Sequence, residues 1–379
     1  MQTTDTTNVR LKQAFRIIVI LMVALLFLAG TQLRRWLQDR RQETADLAIF
    51  NPSSVSGNMV KEWYPDIDFQ PMYPALSPEE IDQVQRETFD IRFVYAPYVQ
   101  FRGMPVKKRF VETSRWGYRK NAGPLHPWPP DDASYDVFVF GGSTTFGSGL
   151  PDSETVVAHL ERELSARITN QTVRCYNFGS GYYFSTQERI LFHDLLLNGT
   201  MPKLAIFIDG LNDFRQVEGF PQFTGPLHET MAPDIPFTGY RSFGSDAERG
   251  EAVDRVLHRY SKNILLIATA AHQFGIRTVF IGQPVPFGSY PITPTTYPFK
   301  QPNNDHQLCA FGYTRFAEFA AAGSFGPDFI WAADAFREAV KPMYADAIHY
   351  SPLGSRRLAQ LIVSRIFTPV VEDTNPAKP

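Results

Sequence analysis

The sequence predicts an α/β protein built on a parallel sheet with helices on both faces, and three observations lead there. Short, nearly continuous apolar runs recur at residues 135–140, 172–176, 204–208, 278–281 and 329–332. Their β-branched and aromatic content suits strands buried on both sides. Amphipathic helical patterns alternate with these runs, as parallel strands joined by crossovers require. Several runs also break abruptly into Gly, Ser, Asn or Asp, at the strand ends where open α/β sheets bind ligands.

The chain has 379 residues, 44% hydrophobic and 14% aromatic, enough for one large core and an accessory module. A formal charge of −2 gives no electrostatic footprint for nucleic acid. Cys175 and Cys309 are the two cysteines, too few for a disulfide framework or a metal cluster. Cys175 falls in a core strand, which favours a buried free thiol.

In chain order, an apolar block at residues 17–29 follows Arg10, Lys12 and Arg16 and precedes Arg34, Arg35, Arg40 and Arg41. It is slightly short for a full span, and no small-x-small cleavage pattern surrounds Leu28 and Gly30. Residues 1–33 are therefore read as an uncleaved N-terminal membrane anchor, with a signal segment as the alternative. Residues 34–130 form an accessory segment and linker, rich in Pro and aromatics. Within it Ser77 caps a helix with Pro78 first and Glu79 and Glu80 in the opening turn. Residues 91–101 read as an irregular strand interrupted at Pro97. Residues 124–132, with four prolines and two aspartates, read as the linker into the core.

The core runs over residues 131–368, with a tail at 369–379. Its first strand breaks on Gly141 and Gly142 just before Ser143, and Asp152 or Ser153 caps the next helix. Ser185 and Glu188 form a capping box for the following one, ending near Gly199. Residues 214–249 are too long for an ordinary connection and suit a lid or pocket wall. A helix over residues 251–274 stops at Gly275, and Ser351-Pro352 opens the last.

Four clusters then come to one sheet edge: Gly142-Ser143, residues 177–181, Asp209 through Asp213, and Asp346 through His349. Alone, Ser143 fits a nucleophile, a phosphate-contacting hydroxyl or a turn residue, but no P-loop lysine or dinucleotide glycine spacing accompanies it. Acyl transfer needs the rest of this inventory. His349 can take the Ser143 proton, and Asp346 can orient the imidazole, with Asp334 as the competing acid. The Ser143 amide, an amide of the 179–182 turn and the Asn212 side chain can serve a developing oxyanion. Asp209 and Asp213 read as loop organisers, without the ligand partners of a metal site. Residues 283–286 fit a pocket lining. Arg115, Arg119 and the other histidines, His193 and His306 among them, read as solvated or structural.

These four blocks, in this order, resemble those of the GDSL/SGNH hydrolase superfamily: the serine block, the glycine block, Gly210-Leu211-Asn212-Asp213, and Asp-x-x-His at Asp346–His349. The resemblance covers roughly residues 135–366. It implies a three-layer flavodoxin-like fold, a serine esterase or acylhydrolase with Ser143, His349 and Asp346 as catalytic triad, and an oxyanion hole from Ser143, Gly181 and Asn212, without cofactor or metal. Two departures stand out. Gly142 replaces the usual acidic residue before the serine, and Gly181 follows Asn177 by four residues rather than five, which leaves Tyr182 as the alternative donor to Gly181. The expected substrate is a small acyl ester, or an O-acyl group on a glycan. An O-acyltransferase using the same triad is the nearest alternative, and a non-catalytic binding or assembly protein the more distant one. Envelope hydrolases commonly carry such leaders, so the catalytic domain is expected outside the cytoplasm, although the flanking charges lean slightly the other way.

Overall fold

Strands β3 (Ser134–Gly141), β4 (Thr172–Asn177), β5 (Leu204–Asp209), β6 (Arg277–Gly282) and β7 (Phe329–Trp331) form one parallel sheet in the order β4-β3-β5-β6-β7. Counted within the sheet this is 2-1-3-4-5, the flavodoxin-like order. The computed structural model describes Met22 and residues 57–131, 133–239, 242–286, 293–299 and 307–367. The chain divides into two units, Met1–Ile49 and Phe50–Pro379, and every described residue except Met22 belongs to the second. The anchor expected over residues 1–33 lies outside the described residues apart from Met22, and so does the 369–379 tail. Among the described residues no helix is long and apolar enough to cross a membrane.

Alternation along β3 explains the layering. Val137 and Val139 point to one core with Ile206, Ile208, Val279 and Ile281; Phe138 and Phe140 point to the other with Phe207 and Phe280. Successive strand side chains face opposite ways, so each strand serves both cores. The first core is covered by α4 (Val156–Arg167) and α10 (Pro352–Ile366), the second by α5 (Ser185–Leu197), α8 (Asp246–Gln273) and α9 (Gln307–Ala321). Phe140, Phe207 and Phe280 stack across three strands, with centroids 4.7 and 5.3 Å apart.

Elsewhere the sequence expectations need correction. Residues 91–101 are two strands, β1 (Phe93–Ala96) and β2 (Gln100–Gly103), paired as an antiparallel hairpin. Pro97 lies in the turn between them, where Tyr98 and Gln100 take φ of 66° and 75°. The cap of α4 is Thr155, whose side chain accepts from the Ala158 amide, because the Asp152 carboxylate is engaged by Arg119 and the Glu112 amide. Helix α8 starts at Asp246 under a capping box from Ser245. Helix α9 was not anticipated, although Cys309, Tyr313 and Phe316 fall on one helical face and are buried. Residues 124–131 pack rather than merely link: Trp128 stacks on Phe138 at 5.9 Å. Helices α1 (Met59–Trp63) and α2 (Pro78–Phe89) precede the hairpin, and α2 has the expected Ser77 capping box. Both cysteines are free and buried.

The Ser185–Glu188 capping box does not form. Phe184 is the cap residue of α5 and offers no side-chain bond. Ser185 Oγ instead donates to Asp213 Oδ1 at 2.6 Å. Glu188 is buried beside Asp209, and neither of its oxygens has a donor among the described residues. Burial first, then the Asp209 and Asp213 charges, push the Glu188 carboxyl well above its ordinary range. Burial does the same to Asp209 and, against the opposing pull of Arg259, raises Asp213 as well. A protonated Glu188 can donate to Asp209, which resolves the missing donor.

The sign of the pH effect follows. The unfolded chain releases the Glu188 proton near pH ~4.3 while the fold retains it, so stability falls as pH rises above that value. Glu188→Gln removes this penalty and keeps a donor. Its gain in unfolding free energy is expected to be larger near pH ~8 than near pH ~4, by about 1.4 kcal/mol per unit of upward shift within that window. Urea denaturation at both pH values checks this, and an equal gain at both would show that Glu188 is ionised in the fold.

Candidate active site

Strand β3 ends where its backbone can no longer carry side chains. At Gly141, φ is 158°, and a Cβ would stand 2.1 Å from Thr145 Oγ1. At Gly142 a Cβ would stand 2.4 Å from Asn212 Nδ2. The two glycines let the chain turn at once into the short helix α3 (Ser143–Phe146), which leaves Ser143 at the carboxyl edge of the sheet.

His349 reaches Ser143 from 206 residues away, with Nε2 2.8 Å from Ser143 Oγ. Its Nδ1 lies 2.7 Å from Asp346 Oδ2. The other carboxylate oxygen, Asp346 Oδ1, accepts from the Ile348 and His349 amides, each at 2.8 Å. That arrangement fixes the tautomer: the Asp346 carboxylate takes the Nδ1 proton of the imidazole, which leaves Nε2 to accept from the serine hydroxyl. Burial pushes the Asp346 carboxyl up, but His349 and the two amides outweigh it and hold the group below the ordinary carboxylate range. The loop is pinned by the Ala345 amide on the His349 carbonyl at 2.7 Å, and the Phe89 ring meets the imidazole edge-on at 5.3 Å. Asp334 instead bonds Trp331 and Arg337.

The glycine block spends two of its amides on structure. Gly179 N donates to Asn177 Oδ1 and Ser180 N to the Gly141 carbonyl, both at 3.0 Å. Gly181 and Tyr182, the latter at φ 66°, supply the remaining amides of that turn at the cleft. Asn212 follows β5 in the short helix α6 (Leu211–Arg215). One Nδ2 hydrogen goes to the Tyr183 carbonyl at 2.7 Å, which orients the amide over Gly142. Ser143, Gly181, Asn212, Asp346 and His349 all line one cleft of about 550 Å³.

Sequence reasoning misplaced the cleft wall. The described residues after Arg215 in the 214–249 stretch do not line it; the wall comes from residues 59–117 of the accessory segment. Gln283 lies below the cleft, its Nε2 donating to Tyr350 Oη at 3.1 Å and to Thr144 Oγ1 at 3.3 Å. Asp209 is buried at the end of β5 and Asp213 within Asn212's own helix, and among the described residues no His, Cys, Asp and Glu group could hold a metal ion. His306 lies outside the described residues.

Arg119 is structural, as expected, but its reach was not legible. Its side chain is 0% exposed. The guanidinium donates to the Phe146, Gly147, Leu150 and Phe110 carbonyls and to Asp152 Oδ1. Phe146 and Gly147 close the helix that Ser143 opens. Burial draws both ions towards their neutral forms, Arg119 downward and Asp152 upward, against their mutual attraction.

No protein-family model matches the chain, and no curated protein sequence does. Among solved structures it is similar to a member of the lipolytic G-D-S-L family from Veillonella parvula, at 15% identity and TM-score 0.37, covering 62% of this chain and 99% of that one. A lipase from a goat rumen metagenome matches at 13% identity and TM-score 0.39, with coverage of 62% and 97%. An acetylxylan esterase from Geobacillus stearothermophilus, in catalytic-mutant form, matches at 14% identity and TM-score 0.38, with coverage of 62% and 95%.

Truncating Arg119 leaves buried Asp152 with the more distant Lys120 ammonium, 3.7 Å away, in place of its guanidinium, and strips donors from four carbonyls. Arg119→Met is expected to cost about 3–5 kcal/mol of stability, measured by urea denaturation. Arg119→Lys should recover only part, because one ammonium cannot span these acceptors. Full recovery by lysine would mean that charge alone, rather than the planar fork, holds this turn.

Proposed function

We propose that this protein is a serine esterase of the SGNH/GDSL type that removes an O-acyl group, with an O-acylated glycan as its natural substrate. The observation that carries the reading is the continuous Ser143–His349–Asp346 relay at 2.8 and 2.7 Å. Ser143 Oγ attacks the ester carbonyl carbon while its proton passes to His349 Nε2. The imidazolium, stabilised by Asp346, returns that proton to the departing alcohol oxygen as the acyl C–O bond breaks. Water then attacks the acyl-enzyme carbonyl and gives its proton to His349, which passes it to Ser143 Oγ as the acyl C–Oγ bond breaks and the acid leaves. Asn212, the Ser143 amide and the Gly181 amide serve the oxyanion; Tyr182 is the neighbouring amide in that turn.

Ester cleavage should vanish in folded Ser143→Ala and His349→Ala proteins, as should labelling by an active-site fluorophosphonate in Ser143→Ala. Normal turnover in a folded Ser143→Ala protein would sink the mechanism. Asn212→Ala should lower kcat by about 10²–10³ with little change in KM, since its bond strengthens as charge develops on the oxygen. Unchanged kcat in a stable Asn212→Ala protein would remove that residue from the oxyanion hole.

The proposal includes an N-terminal anchor that holds the catalytic domain outside the cytoplasm, supported by the apolar block at residues 17–29. The protein should then keep its first residues and need detergent for extraction. Amino-terminal sequencing that starts near Thr31 would identify a cleaved signal instead.

A further inference from the structure

The residue after Ser143 and the residue after His349 are held by one side chain. Gln283 Nε2 donates to Thr144 Oγ1 at 3.3 Å and to Tyr350 Oη at 3.1 Å. An amide nitrogen carries two hydrogens, one for each of these bonds. Tyr350 Oη gives its own hydrogen to the Pro284 carbonyl at 3.0 Å, so it accepts from Gln283 without conflict. Gln283 follows β6 directly and is 3% exposed. Its amide donates to the Asp209 carbonyl at 2.9 Å, and its carbonyl accepts from Tyr313 Oη at 3.0 Å. The side chain therefore extends from a backbone fixed on the sheet edge.

The segments it joins need such a tie. Ser143 opens a helix of four residues behind two glycines, and a helix that short has little stability of its own. Arg119 closes the opposite end of that helix, at Phe146 and Gly147. The loop bearing His349 is bonded to itself, through Asp346 Oδ1 and through the Ala345 amide. Those bonds set its shape and not its distance from Ser143. Tyr297 Oη holds the loop at the Ala347 carbonyl, at 2.8 Å, whereas Gln283 reaches both the loop and the serine's helix. Packing alone would be served by an aliphatic side chain here, because burying an amide costs stability unless its hydrogens are bonded.

Resting on the esterase reading, we propose that Gln283 is a positioning residue that sets the 2.8 Å separation of Ser143 Oγ and His349 Nε2. It acts through Thr144 and Tyr350. Proton transfer requires the two atoms within hydrogen-bond reach, and a misplacement of about 1 Å can cost about 10²-fold in rate. Gln283, Thr144 and Tyr350 are not part of the cleft lining, so the effect belongs to the chemical step and not to substrate binding.

Gln283→Met keeps the length of the side chain and removes both bonds. The folded variant is expected to lose about 10–10²-fold in kcat on a small acyl ester, with KM little changed. The limiting rate of fluorophosphonate labelling should fall in parallel. Thr144→Val and Tyr350→Phe each remove one arm and should each lose less. Adding Gln283→Met to the Thr144→Val, Tyr350→Phe double variant should cost little more, since the bonds are already gone. Unchanged kcat in folded Gln283→Met, with or without a lower Tm, overturns the proposal, and so does a loss that simply adds to that of the double variant. If Gln283→Met does not fold, Thr144→Val decides, and native kcat in that protein overturns the tie. Crystal structures of the native protein and Gln283→Met give a readout free of turnover. The Ser143 Oγ to His349 Nε2 distance should open beyond about 3.2 Å in the variant, and an unchanged distance overturns the proposal. A native protein that neither cleaves esters nor takes the label, while that distance opens in the variant, counts against the esterase reading alone.

Discussion

The turn behind Ser143 is closed by a guanidinium sealed from water. Arg119 gathers carbonyls from Phe110, Phe146, Gly147 and Leu150 around one planar group. Those carbonyls belong to the end of the serine's helix and to the loops on either side. A helix of four residues has little stability of its own, so its geometry must be imposed from outside. The Arg119 backbone adds to this, since its amide donates to the Asn177 carbonyl at the tip of β4. One residue of the accessory segment thus ties the serine block to the glycine block. Thr88 and Tyr73 reinforce the same loop by bonding the Gly149 amide and carbonyl at 2.7 and 2.9 Å.

The sheet below works by a division of shapes. Branched aliphatics fill the face under α4 and α10, and stacked phenylalanines fill the face under α5, α8 and α9. The aromatic face also takes in polar groups near the edge, where Glu188 and Asp209 are buried together with Asp213 of the Asn212 helix. Burying acids costs stability, and here Ser185 and Arg259 repay part of it through Asp213. The acids stand where the helix bearing Asn212 must be held down, which places the least stable chemistry closest to function.

Legibility in the sequence followed locality. The strand runs, the Ser77 cap and the four blocks were readable because period and spacing along the chain carry them. The Ser185–Glu188 motif misled because a local pattern was overridden by a distant partner, Asp213. Asp152 misled for the same reason, being claimed by Arg119 from 33 residues away. Pro97 suggested an interruption and marks a reversal, since Tyr98 and Gln100 take left-handed backbone conformations that neither residue type advertises. The cleft wall could not be read at all: Trp63, Phe89 and Trp116 acquire meaning only once the accessory segment is laid against the sheet edge.

The sequence separation between serine and histidine has a consequence for biogenesis. The strand and helix that carry Ser143 can dock on their neighbours while the chain is still emerging, because β3, β4 and α4 are contiguous in sequence. His349 arrives 206 residues later, on the loop that leads into α10, and α10 packs chiefly against α4. Closure of the relay therefore comes long after β3 is made. On the proposed mechanism, a ribosome-bound chain lacking α10 carries Ser143 without its activator, and chemistry is withheld until α4 and α10 meet.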